Sequence, residues 1–270
     1  MFKENVKTTE KFLEAYNKFI PIDIDKSYKI IENTFNFYEK DLNYNPNNPY
    51  PECLREAWYK ALEEGKIDYS IYNDEYYFTD LWVCWSLFSK NYILSLTKPD
   101  AFAQNMSIYD YLSNINSILD LGCGIAYTTG ALSQIFIDAT IYGTNIINTK
   151  QYQFCEEMSK RYNFKLINDI LHINHTIDFV FASEYFEHIE SPIDHLKDII
   201  TRLQPRYFYI ANSFNVTSIG HFRYYRYNYD KISCYDISNK FNSILGSYRY
   251  KKIRTNLHFD RPTLWEKQYK

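Results

Sequence analysis

The residues with the most chemical content fall in one short run, Asp120-Leu-Gly122-Cys-Gly124, inside the segment SILDLGCGIA at 117–126. Four of the chain's seven glycines lie between Gly122 and Gly143, so the backbone there is under a demand that side chains would obstruct. Glycine permits positive φ and lets a ligand reach the main chain without a Cβ in the way. A dinucleotide fingerprint spaces its glycines as GxGxxG, and its third position here would be Tyr127, too bulky beside a pyrophosphate. Asp120, ahead of the glycines, suits a ligand that carries an ammonium group rather than a diphosphate. The expected ligand is therefore an amino-acid-bearing cofactor.

Two histidines further along, His188 in EYFEHIE and His221 in SIGHFRYY, are the candidate general bases, since imidazole is neutral near pH 7 and accepts a proton. Tyr185 and Phe186 can offer an aromatic face to a cation. Glu184 and Glu187 read as structural or solvated. The acidic residues form no oxygen-ligand cluster with convincing spacing, so no metal is expected. Cys53, Cys84, Cys123, Cys155 and Cys234 are odd in number, widely spaced and free of any CxxC pair. They indicate neither a disulfide framework nor a zinc site, and they fit a reducing cytoplasm.

Those residues need elements to hold them. From residue 118 onward, short apolar runs at 118–121, 140–142, 164–167, 177–182 and 206–211 alternate with helical segments, as in a parallel sheet covered on both faces. The segment 127–136 reads as a helix whose unpaired N–H groups point at the crevice beyond the strands' carboxyl ends. A second helix is expected over 192–203, with Ser191 as N-cap, Pro192 in the first position and Ile193, Leu196, Ile199, Ile200 and Leu203 on one face. A helical piece near 236–241 and two strands near 251–256 and 264–269 follow.

Before residue 117 the spacing is helical at Phe12, Ala15, Tyr16 and Phe19, at Leu54, Ala57, Trp58, Ala61 and Leu62, and at Leu81, Trp85, Phe88 and Tyr92. The Asn- and Pro-rich stretch 43–52 reads as a turn between such helices. The predicted division is an N-terminal helical cap over 1–116 and an α/β domain over 117–270. Tyr76, Tyr77, Trp82, Trp85 and Tyr92 would form an aromatic lid that excludes water from the crevice.

Composition limits the partners. Hydrophobic residues at 46% and charged residues at 23% are ordinary for a globular chain, which excludes disordered and fibrous classes. A net charge of −3 supplies no general attraction for a polyanion, so a nucleic-acid partner is not expected. The basic run YRYKKIR at 248–254 reads as the solvated face of a strand. No export signal or membrane span is visible, and a cytoplasmic location is expected.

The run ILDLGCGIA, together with FVFASEYFEHIESPIDHLKDIITRLQP at 179–205, resembles the class I family of S-adenosylmethionine (SAM) dependent methyltransferases. The first run matches that family's acidic-x-Gly-x-Gly motif and the second its segment after strand four, and the likeness spans 117–211. It implies an α/β, Rossmann-like seven-stranded sheet, mostly parallel and ending in an antiparallel hairpin. It also implies SAM as cofactor, with Asp120, Gly122 and Gly124 on its methionine part and Asp169 beside its adenine. Cys123, Asn145, Ile146, Ile170, Ser183 and Tyr185 complete the implied cofactor contacts.

Two departures stand out. Ala126 replaces a frequent third glycine, and Asn145 stands where the family usually places an acidic residue on the ribose hydroxyls. An amide keeps hydrogen bonding there without a carboxylate's charge-assisted strength.

The implied activity is methyl transfer to an oxygen or nitrogen of a small polar metabolite: a sugar, a sugar nucleotide or a phosphorylated compound of surface-polysaccharide biosynthesis. His188 or His221 would take the acceptor's proton, and Asn215, Arg223, Tyr224 and Tyr77 would hold the acceptor. Two other readings stay open. One is a degenerate SAM-fold subunit acting through partner contact, and the other is a nucleic-acid methyltransferase, although the chain lacks the Asn/Asp-Pro-Pro-aromatic motif.

Overall fold

The computed structural model describes residues 50–73, 92–93, 95–102, 105–124, 126–257, 259 and 261–269. Five strands run parallel: β1 (Ser117–Leu121), β2 (Thr140–Thr144), β3 (Lys165–Ile167), β4 (Phe179–Ser183) and β5 (Tyr207–Ala211). After a separate two-stranded hairpin, β6 (Tyr224–Tyr227) and β7 (Asp230–Ser233), come β8 (Tyr250–Ile253) and β9 (Thr263–Lys267). The main sheet has seven strands in the order β3-β2-β1-β4-β5-β9-β8, and β9 is antiparallel to both neighbours. This is the expected Rossmann-like sheet with its antiparallel end.

The central strands are mostly apolar because both faces of the sheet are covered. Along β1, side chains alternate between the two sides: Ile118 joins a core with Leu132, Phe136, Phe179 and Tyr209, while Leu119 and Leu121 join one with Val180, Leu196, Ile199 and Phe208. Asp120 is the polar interruption, and it is buried.

The helices are α1 (Tyr50–Glu63), α2 (Ile108–Tyr111), α3 (Tyr127–Ile135), α4 (Lys150–Tyr162), α5 (Pro192–Leu203) and α6 (Ile237–Ser247). In α5 the five expected apolar positions are all buried, with Pro192 in the first turn. Its N-cap Ser191, however, makes no side-chain capping bond.

Three details differ from expectation. The turn predicted over 43–52 is already helical by Tyr50, where Pro51 can open α1 because a first-turn N–H has no intrahelical partner to lose. The β6–β7 hairpin falls in a stretch that read only as polar and aromatic. Its turn places Asn228 and Tyr229 at φ of 49° and 71°, a left-handed pair that hairpins favour but that usually carries glycine. Residues 236–241 are the start of a helix that continues to Ser247.

The helical positions at Phe12–Phe19, and Tyr76, Tyr77, Trp82 and Trp85 of the predicted lid, lie outside the described residues. Tyr92 is described and buried. Among the described residues no helix is long and apolar enough to cross a membrane.

Candidate functional site

A cavity of about 490 Å³ opens at the carboxyl ends of β1, β2 and β4, a volume within the range of small-molecule sites. One wall is the glycine loop. Gly122 N–H donates to Thr144 Oγ1 and Cys123 N–H to the Thr144 carbonyl, both at 2.9 Å, which stitches the loop to the end of β2. Gly122 and Gly124 sit at φ of 66° and 53°. A Cβ at Gly122 would run into the Tyr185 ring, which lies against the loop. Cys155 Sγ donates to the Gly124 carbonyl at 2.9 Å and lies 3.8 Å from Cys123 Sγ.

Asp120 stands beneath the loop at 1% exposure. Its Oδ2 accepts from Thr128 Oγ at 2.5 Å and Thr129 Oγ at 2.7 Å, and no described hydrogen bond falls on Oδ1. Burial pushes this carboxyl up to about 7 against the lowering pull of the two hydroxyls. A cationic partner would reverse that shift, because an opposite charge favours the ionised form. Beside it, α3 starts from Ala126 in the left-handed region with no side-chain cap, so its first-turn N–H groups are not taken by a capping side chain.

Asn145 is more constrained than a plain ribose contact. Its Nδ2 donates to the Gly124 carbonyl at 2.7 Å and to Cys155 Sγ at 3.3 Å, while Oδ1 accepts from Ile146 N–H at 2.8 Å. The amide donor therefore holds the glycine loop, and only a lone pair of Oδ1 remains for a ligand.

Asp120, Gly122, Cys123, Gly124, Asn145, Ile146, Ser183 and Tyr185, eight of the ten predicted cofactor contacts, line the cavity. Asp169 and Ile170 do not. β3 ends at Ile167, so Asn168 takes the lining position. Asp169 instead caps the short turn Ile170–His172 by accepting from Leu171 N–H at 2.9 Å, and Ile170 turns into the core.

The opposite wall carries His188, on a 3-10 turn (Phe186–His188) after β4. Its Nδ1 meets the Tyr72 hydroxyl at 2.9 Å, and the Tyr69 hydroxyl donates to its main-chain carbonyl at 2.9 Å. Burial, reinforced by His221, pushes the His188 imidazole well below the usual histidine range, although a bond to the Gly220 backbone works the other way. It is neutral at pH 7. His221 stands behind it at 1% exposure, its ring perpendicular to that of His188 with centroids 4.7 Å apart. His221 Nδ1 donates to the Val216 carbonyl at 2.7 Å, and burial lowers this imidazole too. His221 does not line the cavity.

The predicted acceptor contacts lie elsewhere. The Arg223 guanidinium sits 4.5 Å over the Tyr59 ring and 3.3 Å from Glu63, and Tyr224 and Asn215 are exposed. None of the three lines the cavity, because the chain after β5 turns away into the β6–β7 hairpin; Tyr77 is outside the described residues.

Glu184 and Glu187, read as structural or solvated, are buried together rather than solvated. Glu184, at φ of 51°, accepts from the Tyr92 hydroxyl at 2.7 Å and from Arg261, while Glu187 Oε1 accepts from Ser213 N–H at 2.7 Å. Burial, the Glu184 charge and the Glu184 side chain beside it push Glu187 well up. Burial raises Glu184 as well, but the Glu187 hydrogen bond and the Arg261 charge outweigh it and keep that carboxylate ionised. Among the described residues no group of three or more His, Cys, Asp or Glu is placed to hold a metal ion.

Sequence reasoning passed over Tyr69, Tyr72, Gln151 and Asn168, which all line the cavity. The i, i+3 spacing of the two tyrosines was the available signal for the first pair, since such residues eclipse in a 3-10 turn.

Residues 94–245 match a family model described as a methyltransferase domain. No curated protein matches the chain. Among solved structures, a fibrillarin/Nop5p complex is similar at 13% identity, over 57% of this chain and 73% of that one, with a TM-score of 0.41. A SAM-dependent methyltransferase from Aquifex aeolicus shows 13% identity over 54% and 79%, TM-score 0.38. The N-terminal domain of EvdMO1 with SAH bound shows 15% identity over 45% of this chain and 62% of that one, less than two thirds of its length, TM-score 0.33.

Proposed function

This chain belongs to the SAM-dependent methyltransferase family, and we propose that its acceptor is an oxygen or nitrogen of a small polar metabolite, with His188 as the base. The observation that supports this reading is the cavity itself, which is lined both by the glycine loop with Asp120 and by the neutral His188.

The residues present fit SAM. Asp120 would take the ammonium group through its unshared Oδ1, the first turn of α3 would supply N–H donors, and Asn145 and Asn168 would meet the ribose and adenine. SAM supplies a methyl group on a sulfonium, a leaving group already activated. The protein therefore has to align the acceptor, exclude water and remove one proton. Tyr69, Tyr72 and Tyr185 line the cavity with aromatic rings and hydroxyls. His188 takes the proton that the acceptor hydroxyl or amine loses as its new bond to carbon forms.

Among the described residues no Lys or Arg lines the cavity. Of the acceptors expected from the sequence, this favours an uncharged sugar-like group at the reacting end over a phosphate. The test is incubation of the purified chain with methyl-labelled SAM and pools of neutral and phosphorylated polar metabolites. A labelled product heavier by one methylene in the neutral pool is the expected result. Turnover confined to the phosphorylated pool, or label found only in nucleic acid, would overturn the reading.

A further inference from the structure

The segment 69–73 reaches His188 twice. Tyr69 and Tyr72 occupy one 3-10 turn (Tyr69–Asn73), where residues three apart eclipse. Their rings stack at 5.8 Å and 14°. Both hydroxyls consequently point the same way, Tyr69 to the His188 carbonyl and Tyr72 to His188 Nδ1, each at 2.9 Å. The same Nδ1 edge faces Gly220. A Cβ there would strike the Tyr72 oxygen and the His188 ring, and Gly220 sits at φ of 82°. Nδ1 is thus enclosed by the Gly220 backbone and by the Tyr72 hydroxyl oxygen at 2.9 Å, which can accept from an N–H.

We propose that the Tyr69-x-x-Tyr72 turn, with Gly220, is a positioning clamp that holds His188 as the Nδ1–H tautomer and leaves Nε2 as the proton acceptor. The proposal rests on the reading of His188 as the base and adds what orients it. Which ring nitrogen carries the proton is set by the bond the other makes. The preceding helix α1 is fastened to the same loops, Trp58 Nε1 donating to the His221 carbonyl at 2.6 Å and Tyr59 to the Ser218 carbonyl at 3.3 Å, and its Trp58 ring meets that of Tyr69 at 5.9 Å. The clamp thus joins α1 and its following turn to the catalytic wall.

The test compares wild type, Tyr72→Phe and Gly220→Ala by imidazole nitrogen NMR of the full chain, alongside kcat and SAM affinity. Tyr72→Phe keeps the ring and its stacking, while Gly220→Ala wedges the clamp without removing the hydroxyl. In wild type the His188 Nδ1 resonance should be that of a protonated nitrogen. Either variant should move it toward a tautomer mixture and lower kcat roughly three- to tenfold, the worth of one neutral hydrogen bond, with SAM affinity unchanged. An Nδ1 that is unprotonated in wild type, or a tautomer unmoved in both variants, overturns the clamp. A tautomer that moves while His188→Ala turns over at full rate upholds the clamp and overturns the base.

Discussion

The glycine-loop wall of the cavity comes from one β-α-β stretch, residues 120–146, whereas the histidine wall joins Tyr69 and Tyr72 to His188 across 119 and 116 residues of chain. The first wall is built mostly of backbone, left-handed glycines and uncapped helix N–H groups, beside one buried carboxyl side chain. The second is built of side chains that depend on one another for position. Local backbone demands leave marks in a sequence, while a side chain's partner from a distant segment does not. Substitutions on the first wall should therefore weaken SAM binding, and those on the second should slow turnover with SAM binding intact.

The largest expected effect is on the second wall. His188→Ala should lower kcat about 10²- to 10⁴-fold, the usual worth of a general base, with SAM affinity within a factor of about two by calorimetry. A parallel loss of affinity would merge the two walls. Next, Gly122→Ala places a Cβ against Tyr185 at a φ that L-residues avoid. With about 1–2 kcal/mol for the backbone alone and steric conflict added, SAM affinity should fall roughly thirtyfold or more.

Asp120→Asn comes third. Replacing a charge-assisted bond of about 1.5–3 kcal/mol by a neutral one should cost roughly tenfold in affinity. A pH series sharpens this prediction. The free carboxyl titrates at about 7 and must be ionised to hold an ammonium. Wild-type affinity should therefore weaken as pH falls through 7, and the Asn variant should not follow. On the other wall, kcat should keep its plateau below the usual histidine range, because His188 is held neutral there.

Asn145→Asp should have a smaller effect, and of a sign that separates two accounts. If position 145 only meets ribose, a carboxylate should tighten binding. Because its amide donates to the Gly124 carbonyl, a carboxylate would instead repel that oxygen, and affinity should fall severalfold, in line with about 1 kcal/mol for one hydrogen bond. Smallest of all, Arg223→Ala should leave kcat/KM within about twofold, since its ion pair is exposed and screened.

The sheet was legible because its central strands are buried on both faces and so read as short, mostly apolar runs; β1, β4 and β5 begin and end within two residues of their predicted bounds. The β6–β7 hairpin was not, because a turn of Asn228 and Tyr229 lacks the glycine that usually announces one. Asp169 lies one residue beyond the cavity-lining Asn168: its role as the cap of a short turn depends on where β3 stops, which apolar pattern does not resolve. Arg223 and Tyr224 followed β5 as the acceptor reading required, but a cation on a hairpin arm can fold onto Tyr59 as readily as into a cavity. The pairing of Tyr72 with His188 had no local signature at all.

The most direct measurement is a calorimetric titration of SAM and of S-adenosylhomocysteine into the wild-type chain at pH 8 and pH 6. Binding of one SAM per chain, tighter at pH 8 and matched by one S-adenosylhomocysteine, is the predicted result. No heat with either ligand at either pH would contradict the assignment of the glycine-loop wall as the cofactor site.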